Sequence, residues 1–531
     1  MISCPNCGGN PRFDIASQKL LCQFCGSSYD IESFPEEIPA AAPGEREDGD
    51  GETVEKMQVT VYTCSQCGGE LMSTDSDATA FCSYCGAHQV LEERLSFQER
   101  PKRIIPFRIT KEDCKNIYAK KLRRSLFAPK ELRDPAYIDE FRGIYMPYWF
   151  YSFTQKGKVT LTGTTEHRDG NYNVIDSYKL TVKEDNVFNG ITHDASTSFD
   201  DKISESLAPY DTRETVSFKT AYLSGFYADI PDVTNTAYQR EAEVMVARDT
   251  LEKIEGIKDF KKYSIKESDD NAAVSKTNTE LQSAETAMFP VWFLSYRKND
   301  RMAYAAINGQ TGKMTADIPI DKVRYLTGTA VMAAVIWIIL QTFNIASLQG
   351  ILMAVIFGSM AGALVYGMVV HKLQEDQNNR DWEAYLGNRE KKEQEGKKAS
   401  GPPERKHISP GILETLVLWL ILIVIAGVLM IVELGGLIMI EPLLTALYVQ
   451  LGFDAEKGKR RWISNWALGI VTSIGALVWV LNPYIDILYY GCSVLMMICV
   501  VWCFFDALYY YNQLMTRPLP QFNKKGGDDR A

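Results

Sequence analysis

Hydrophobic and polar positions divide the chain into two parts. Residues 1–322 mix apolar and polar positions, whereas residues 323–511 are dominated by long apolar runs. A helix needs about 20 apolar residues to cross a bilayer, and six runs approach that length. They lie at 325–343, 349–370, 412–432, 436–453, 463–481 and 486–511. The pattern predicts an all-α, six-helix transmembrane region at 323–511.

Basic residues indicate how these runs would be oriented. Lys and Arg number nine in 371–408, four in 454–462 and four in the 512–531 tail, and the three intervening short loops have none. Cytoplasmic loops of membrane proteins carry the excess of Lys and Arg. The sequence therefore predicts a multi-pass membrane protein, with its N- and C-termini, the 371–408 loop and the tail in the cytoplasm.

Residues 96–322 have the mixed pattern of a folded cytosolic domain. The segments 145–151 and 288–294 share the motif Pro-x-Trp-Phe, and each opens a strand-like run. We expect them to be matching strands of one sheet, with their aromatic side chains in the core. The prediction for 96–322 is an α+β domain with a mainly antiparallel sheet.

A helix is predicted at 111–127. Its apolar face is formed by Cys114, Ile117, Tyr118 and Leu122. Its opposite face is basic, with Lys115, Lys120, Lys121, Arg123 and Arg124. Two interpretations stay open for this basic face: ordinary solvation, or contact with anionic membrane lipid or an acidic partner.

Eight of the 12 cysteines form a repeated motif. The spacing C-x2-C-x14-C-x2-C occurs twice, 60 residues apart, and each C-x2-C is followed by Gly. The repeats consist of Cys4, Cys7, Cys22, Cys25 and of Cys64, Cys67, Cys82, Cys85. This spacing is typical of four-sulfur zinc sites, and it predicts two zinc ribbons, at 1–34 and 57–95, that hold two structural Zn²⁺ ions. Disulfides would need an oxidising compartment, and no signal peptide is recognisable at the N-terminus.

The segment between the ribbons, 35–56, is rich in acidic residues, Pro and Gly. Such a composition predicts a disordered linker. The two ribbons are therefore expected to be separate beads that engage a partner at two points.

Charge favours a protein partner over nucleic acid. The chain has a net charge of −10, and both ribbons carry more acidic than basic residues. A ribbon that binds nucleic acid needs a cationic surface for the phosphates. Nucleic acid is thus an unfavoured partner, although a tethered nucleic-acid binder stays an alternative.

The sequence shows no catalytic set, and we expect a protein that is not an enzyme. The five histidines lie in different regions without metal-ligand spacing, and His88, just past the second ribbon, is interpreted as a surface residue. No phosphate-binding loop, dinucleotide fingerprint or nucleophile elbow is present. A closed four-cysteine site also leaves no coordination position for substrate.

Two acidic residues in the predicted spans allow a different function. Glu441 and Asp506 would lie within the fourth and sixth spans, where ionisable side chains often mark an ion path. A channel or transporter with a ribbon-bearing regulatory domain is therefore an alternative. The simpler interpretation is that both side chains reach water or a neighbouring helix.

The order of these features resembles a known family. The tandem ribbons, the segment 145–150, the Asn-Gly-x-Thr-Gly-Lys turn at 308–313 and the apolar C-terminal half are similar to the zinc-ribbon (YdjG-type) membrane proteins of Gram-positive bacteria. These are encoded beside a PspA-like phage-shock protein, an ESCRT-III relative, and a flotillin-like SPFH protein. The resemblance implies an adaptor anchored in the bacterial cell membrane that recruits such cytosolic partners in envelope stress. The sequence leaves open whether the protein is an oligomer.

Overall fold

The computed structural model describes residues 3–34, 55–73, 82–87, 92–169, 172–198, 201–265 and 270–331, scattered residues between 350 and 369, and 459–520 with 522. These residues form two compact units. The larger unit contains 1–124, 131–317 and 518–531, and the smaller contains 125–130 and 318–517. The finer domain boundaries given above stay a prediction.

The strands belong to two sheets. A small sheet in the first ribbon consists of β1 (Pro11–Asp14), β2 (Lys19–Cys22) and β3 (Ser28–Tyr29). The other strands belong to a 13-stranded sheet. They are β4 (Lys56–Thr63), β5 (Glu70–Ser73), β6 (Glu92–Glu99), β7 (Arg103–Ile104), β8 (Arg142–Asp169), β9 (Tyr172–Asp194), β10 (Val216–Ser217), β11 (Tyr227–Asp229), β12 (Ser264–Ile265), β13 (Thr279–Lys298), β14 (Arg301–Asn308), β15 (Met314–Ala316) and β16 (Arg517–Pro518).

Seven α-helices begin and end within the described residues. They are α1 (Lys111–Arg124), α2 (Pro135–Ile138), α3 (Asp201–Leu207), α4 (Gln239–Glu255), α5 (Asp270–Lys276), α6 (Lys459–Leu481) and α7 (Asp486–Leu514). The predicted helix at 111–127 is confirmed as α1, which buries Cys114, Tyr118 and Leu122. On its basic face, Lys115 is bound by Asp139 at 2.5 Å. At least this part of the basic face is therefore neutralised within the protein.

The two Pro-x-Trp-Phe segments are neighbours in the large sheet, as predicted. β8 and β13 pair antiparallel, with Tyr145 opposite Pro290 and Trp149 opposite Thr286. The sheet as a whole is mixed, because β11 pairs with β8, and β7 with β13, in parallel. These central strands fix the position of everything that packs on them.

The aromatic side chains of these strands form the core. Phe107 stacks on Phe226 with ring centroids 4.6 Å apart, and it also contacts Trp292 at 5.2 Å. The Trp292 indole donates a hydrogen bond to the Ile109 carbonyl at 2.8 Å, so its polar edge is satisfied. A Cβ at Gly309 would lie 2.6 Å from the Phe107 ring. Glycine in the 308–313 turn is thus required by close packing.

A second cluster lies between the β8–β9 hairpin and α4. Val159 and Leu161 pack against Leu251 and other apolar residues of the helical layer. Beside this cluster, the buried Gln155 side chain donates to Thr279 and accepts from Thr250, at 2.9 and 2.7 Å. Both the nitrogen and the oxygen of this buried amide are therefore hydrogen-bonded.

The first ribbon packs against the central domain. The Phe13 amide donates to the Ser224 carbonyl at 3.0 Å, and the Gln18 side chain donates to the Phe107 carbonyl at 2.8 Å. The Phe13 ring is 5% exposed and meets the Tyr222 ring edge-on at 5.4 Å. The expectation of a separate bead is therefore wrong for this ribbon.

The second ribbon is part of the large sheet itself. Its strand β5 pairs with β11 of the central domain, with Met72 opposite Ala228, and β4 lies between β5 and β6. A bead-like second ribbon is therefore wrong as well. The linker composition of 35–56, which lies outside the described residues, carried no information about this pairing.

The predicted fold class is wrong in its six-helix transmembrane region. Among the described residues, one helix, α7, is long and apolar enough to cross a membrane. In α6, the described apolar stretch Trp466–Leu481 is shorter than such a span. The predicted multi-pass location in the cell membrane, with both termini cytoplasmic, is contradicted by the same finding.

Several of the predicted spans cannot be placed on these helices. The runs at 412–432 and 436–453, and most of 325–343, lie outside the described residues, as do Glu441 and the loop 371–408. Apolar length alone is a weak criterion, since a buried core helix has the same composition as a short span. Within the described residues, hydropathy therefore overstated the number of spans.

Because the first ribbon packs against the central domain, we predict that its buried Phe13 side chain stabilises that domain. Phe13→Ala removes a ring that packs on the central domain, and such core truncations cost about 3–5 kcal/mol. We expect faster hydrogen exchange at residues 221–228, measured by mass spectrometry on the full chain. Phe24→Ala in the same ribbon is the matched control, because Phe24 is 79% exposed. Unchanged exchange at 221–228 in Phe13→Ala would mean that the ribbon is an independent bead.

Candidate metal centres

The eight motif cysteines meet in two clusters. In each cluster the four sulfur atoms lie within 4.8 Å of one another. In the first, the Cys4–Cys25 and Cys7–Cys22 sulfur distances are 3.7 and 3.5 Å. A tetrahedral ion with metal–sulfur bonds of about 2.3 Å requires sulfur–sulfur distances of about 3.8 Å. The first cluster therefore has the dimensions of a closed four-thiolate site.

The second cluster has the same dimensions. Its Cys64–Cys85 and Cys67–Cys82 sulfur distances are both 3.7 Å. The two clusters are thus able to hold one metal ion each, as the cysteine repeat predicts. The ligand role of each individual cysteine stays a prediction.

Four identical backbone turns build these clusters. In each C-x2-C-G turn the glycine amide donates to the carbonyl of the first cysteine, at 2.7–3.0 Å. The four glycines, Gly8, Gly26, Gly68 and Gly86, have φ between 65° and 77°. Only glycine adopts this left-handed conformation without steric cost. The glycine in the motif is therefore what allows both thiols of a turn to point at one ion.

The two clusters differ in exposure. Cys7 and Cys25 are exposed in the first cluster, whereas all four cysteines of the second are buried. The second cluster belongs to the main core, where it shares contacts with Ile144 and Phe293. The first site therefore lies at the surface of its ribbon, and the second is enclosed by the central domain.

Each cluster contains a thiol whose pKa is lowered. The Tyr29 hydroxyl, 3.3 Å from the Cys4 sulfur, is the main cause that lowers the pKa of Cys4 to about 6. In the second cluster, hydrogen bonds from Cys67 and Cys82 lower the pKa of Cys85 to about 2. The hydrogen bond between Cys67 and Cys82 raises the pKa of Cys67. The sulfurs thus share protons at close range, and a bound metal ion would displace those that remain.

Two contacts of the clusters had no signal in the sequence. Tyr29 reaches Cys4 from β3, as described above. Phe522, in the C-terminal segment, donates its amide hydrogen to the Cys67 carbonyl at 2.6 Å, and its ring lies 5.6 Å from the Tyr84 ring. Only the folded chain brings this segment to the second ribbon.

The two histidines that the structure describes do not contribute to either cluster. His193 is partly buried against the Tyr238 ring, with centroids 5.1 Å apart, and burial lowers its pKa to about 4. It is a neutral side chain packed between elements. His167 lies 3.4 Å from Asp176 on the exposed hairpin. His88, His371 and His407 lie outside the described residues.

One of the two proposed ion-path residues can be placed. Asp506 is fully buried in the smaller unit and accepts a hydrogen bond from the Tyr366 hydroxyl at 3.0 Å. Glu441 lies outside the described residues. Asp506 is thus a buried, hydrogen-bonded side chain, and an ion path through Asp506 and Glu441 stays an untested prediction.

The paired clusters predict the metal content of the protein. Elemental analysis of the purified full chain should give about two metal ions per chain, because each cluster supplies four thiolates. Cys22→Ser should reduce this to about one. A Cys22→Ser chain that retains two ions, or a wild-type chain that folds without metal, would contradict the two-site interpretation.

Because the cysteines of the two clusters differ in exposure, we predict that the two metal ions are released at different rates. A thiol-competing chelator should remove about one ion per chain in a fast phase, from the cluster with exposed Cys7 and Cys25. The second ion should leave slowly, because its thiols become accessible only when the core opens. Cys22→Ser should abolish the fast phase and keep the slow one. A single phase for both ions would contradict this assignment.

Comparison with known proteins finds a distant relative. No protein-family model matches the chain, and no solved structure matches it. The uncharacterized protein YdjG of Bacillus subtilis (strain 168) is 29% identical over 323 residues, which are 60% of this chain and 90% of that protein. The chain is thus similar to YdjG over nearly the whole length of that relative.

Proposed function

We propose that this protein is a non-enzymatic zinc-ribbon adaptor, a scaffold whose ribbons contact protein partners. The observation that carries the proposal is the closure of both metal clusters. All four coordination positions are supplied by sulfur in each cluster, so neither leaves a position for a reacting water or substrate. Closed sites of this kind stabilise small folds that serve as binding surfaces.

Zinc is the metal that we assign to both clusters. A tetrahedral set of four thiolates suits Zn²⁺, and iron–sulfur chemistry is the other common occupant of such a set. Sulfur–sulfur distances of 3.5–3.7 Å support a single ion in the first cluster. The two ribbons would then depend on zinc for their folding, since each has little core of its own.

Charge supports protein over nucleic acid as the partner. In the first ribbon Lys19 is bound by Asp30 at 3.0 Å. In the second, Arg94 is bound by both carboxylate oxygens of Glu70, at 2.9 and 3.1 Å. Ion pairs of this kind reduce the positive potential that phosphates would require. The ribbons therefore favour contact with protein surfaces.

The partners that we propose are a PspA-like protein and an SPFH (flotillin-like) protein, acting in envelope stress. This assignment rests on the family resemblance, which the similarity to YdjG over the 323 aligned residues supports. The adaptor proposal does not include the multi-pass anchor or the transporter alternative, because both required the six-span region that the structure contradicts.

Recruitment can be tested at the more exposed ribbon. Purified full chain loaded with zinc should bind a purified PspA-like protein, with cross-links from the partner to residues 3–34. Cys25→Ser should lose this binding together with one zinc ion, because the exposed turn of the first ribbon would no longer be held. Cys499→Ser is the matched control, since Cys499 belongs to α7 and to neither cluster.

Two outcomes would contradict the adaptor. Undiminished partner binding by Cys25→Ser, after loss of the first zinc ion, would remove the ribbon from the interface. Tight binding of duplex DNA that weakens steeply with salt would favour the nucleic-acid alternative instead.

A further inference from the structure

The two ribbons carry an aromatic residue at the same position. Phe24 lies between Cys22 and Cys25 in the first ribbon, and Tyr84 lies between Cys82 and Cys85 in the second. Each ring covers the glycine that follows the other C-x2-C-G turn of its ribbon. A Cβ added at Gly9 would lie 2.6 Å from Phe24 Cδ2, and one added at Gly69 would lie 2.6 Å from Tyr84 Cδ2. The two aromatic residues are therefore equivalent in geometry as well as in sequence.

The surroundings of these two rings are opposite. Tyr84 is 2% exposed, and Phe24 is 79% exposed. In the second ribbon the ring is enclosed from two sides, by Phe293 at 6.5 Å and by Phe522 at 5.6 Å. In the first ribbon the equivalent face presents Phe24 and the partly exposed Leu21 to solvent.

The chain itself shows what chemistry fits this face. Phe522 follows the segment Pro518-Leu519-Pro520-Gln521. It binds the second ribbon in two ways, through its edge-on ring contact with Tyr84 and through its backbone amide, which donates to the Cys67 carbonyl at 2.6 Å. One residue thus uses both an aromatic contact and a main-chain hydrogen bond. Because the four cysteine turns are alike, Cys7 is the counterpart of Cys67.

We propose that the Phe24 face of the first ribbon binds an extended, proline-containing segment of a partner protein through an aromatic side chain. The partner's ring packs against Phe24, and its backbone amide donates to the Cys7 carbonyl, as Phe522 does on the second ribbon. The exposure of Cys7 leaves this turn accessible from outside. This inference rests on the proposed adaptor function and specifies the surface and the ligand chemistry that it uses.

The chain's own C-terminal sequence supplies a probe. A fluorescent peptide with the sequence of residues 516–526 contains the Pro-Leu-Pro-Gln-Phe segment. The tethered copy of this segment occupies the second ribbon at high effective concentration, so added peptide reports on the first ribbon. Titration with the zinc-loaded full chain, followed by fluorescence anisotropy, should show saturable binding.

Three variants make the titration specific. Phe24→Ala in the protein should weaken binding by about tenfold or more, because it removes the aromatic contact at the centre of the face. The same loss is expected when the peptide carries Phe522→Ala. Tyr172→Ala is the matched control, because Tyr172 is an aromatic residue of the same exposure, 78%, on the β8–β9 hairpin. It should bind the peptide as the wild type does.

Zinc content separates loss of the surface from loss of folding. Phe24→Ala should keep two zinc ions, since its side chain is exposed and is not a ligand. Absence of saturable binding, or equal affinity in Phe24→Ala and wild type, would overturn the proposal. Self-association of the full chain that Phe24→Ala abolishes would also overturn it, because a second copy would then be the occupant.

These experiments distinguish failure of the Phe24 proposal from failure of the adaptor proposal. If Phe24→Ala still recruits the PspA-like protein while Cys25→Ser does not, the Phe24 proposal fails and the adaptor stands. If the peptide binds through Phe24 but the wild type recruits no PspA-like protein, the proposed partner is wrong, whereas the proposal for the Phe24 face stands. Loss of recruitment in both variants supports both proposals.

Discussion

The structure depends on the convergence of four sulfur atoms in each of the two cysteine repeats. Two C-x2-C-G turns must approach until their thiols lie about 3.5–3.7 Å apart. Such crowding of ionisable groups is unfavourable unless protons or a cation are shared among them. Because β4, β5 and β6 connect the second cluster to the 13-stranded sheet, metal binding there stabilises the central domain as well as the ribbon. The first cluster acts more locally, through the packing of Phe13 on Tyr222.

The same small fold is therefore used in two different ways. In the second ribbon, the cysteines and Tyr84 are buried by the core and by Phe522, so the thiols of this cluster are enclosed. In the first, the metal site holds an aromatic residue at the surface. An exposed aromatic ring on a rigid turn is a suitable anchor for a partner, because little conformational entropy is lost when it binds. Duplication of a ribbon, followed by enclosure of one copy, is a simple route to such a platform.

Local sequence patterns predicted the features that depend on local chemistry. The cysteine spacing indicated both clusters, and the shared Pro-x-Trp-Phe motif indicated that β8 and β13 belong to one sheet. Contacts between distant segments were not predictable in this way. The sequence around Phe13 does not indicate that its ring packs on Tyr222, and the sequence around Tyr84 does not indicate a contact with Phe522. In both cases the topology of the sheet determines which distant residues meet. An acidic linker at 35–56 suggested independent ribbons, yet the strands on either side of it determine where the ribbons lie. Hydropathy failed for a related reason, since apolar length does not distinguish a span from a helix that packs against other helices.

The central claim is that both metal sites are closed by sulfur and hence serve binding rather than catalysis. X-ray absorption at the zinc edge tests it most directly on the purified full chain. The account predicts an average of four sulfur neighbours per zinc at about 2.3 Å, with no nitrogen or oxygen in the coordination shell. A mixed shell, with a light-atom neighbour at about 2.0–2.1 Å, would show an open or histidine-containing site and would contradict the account.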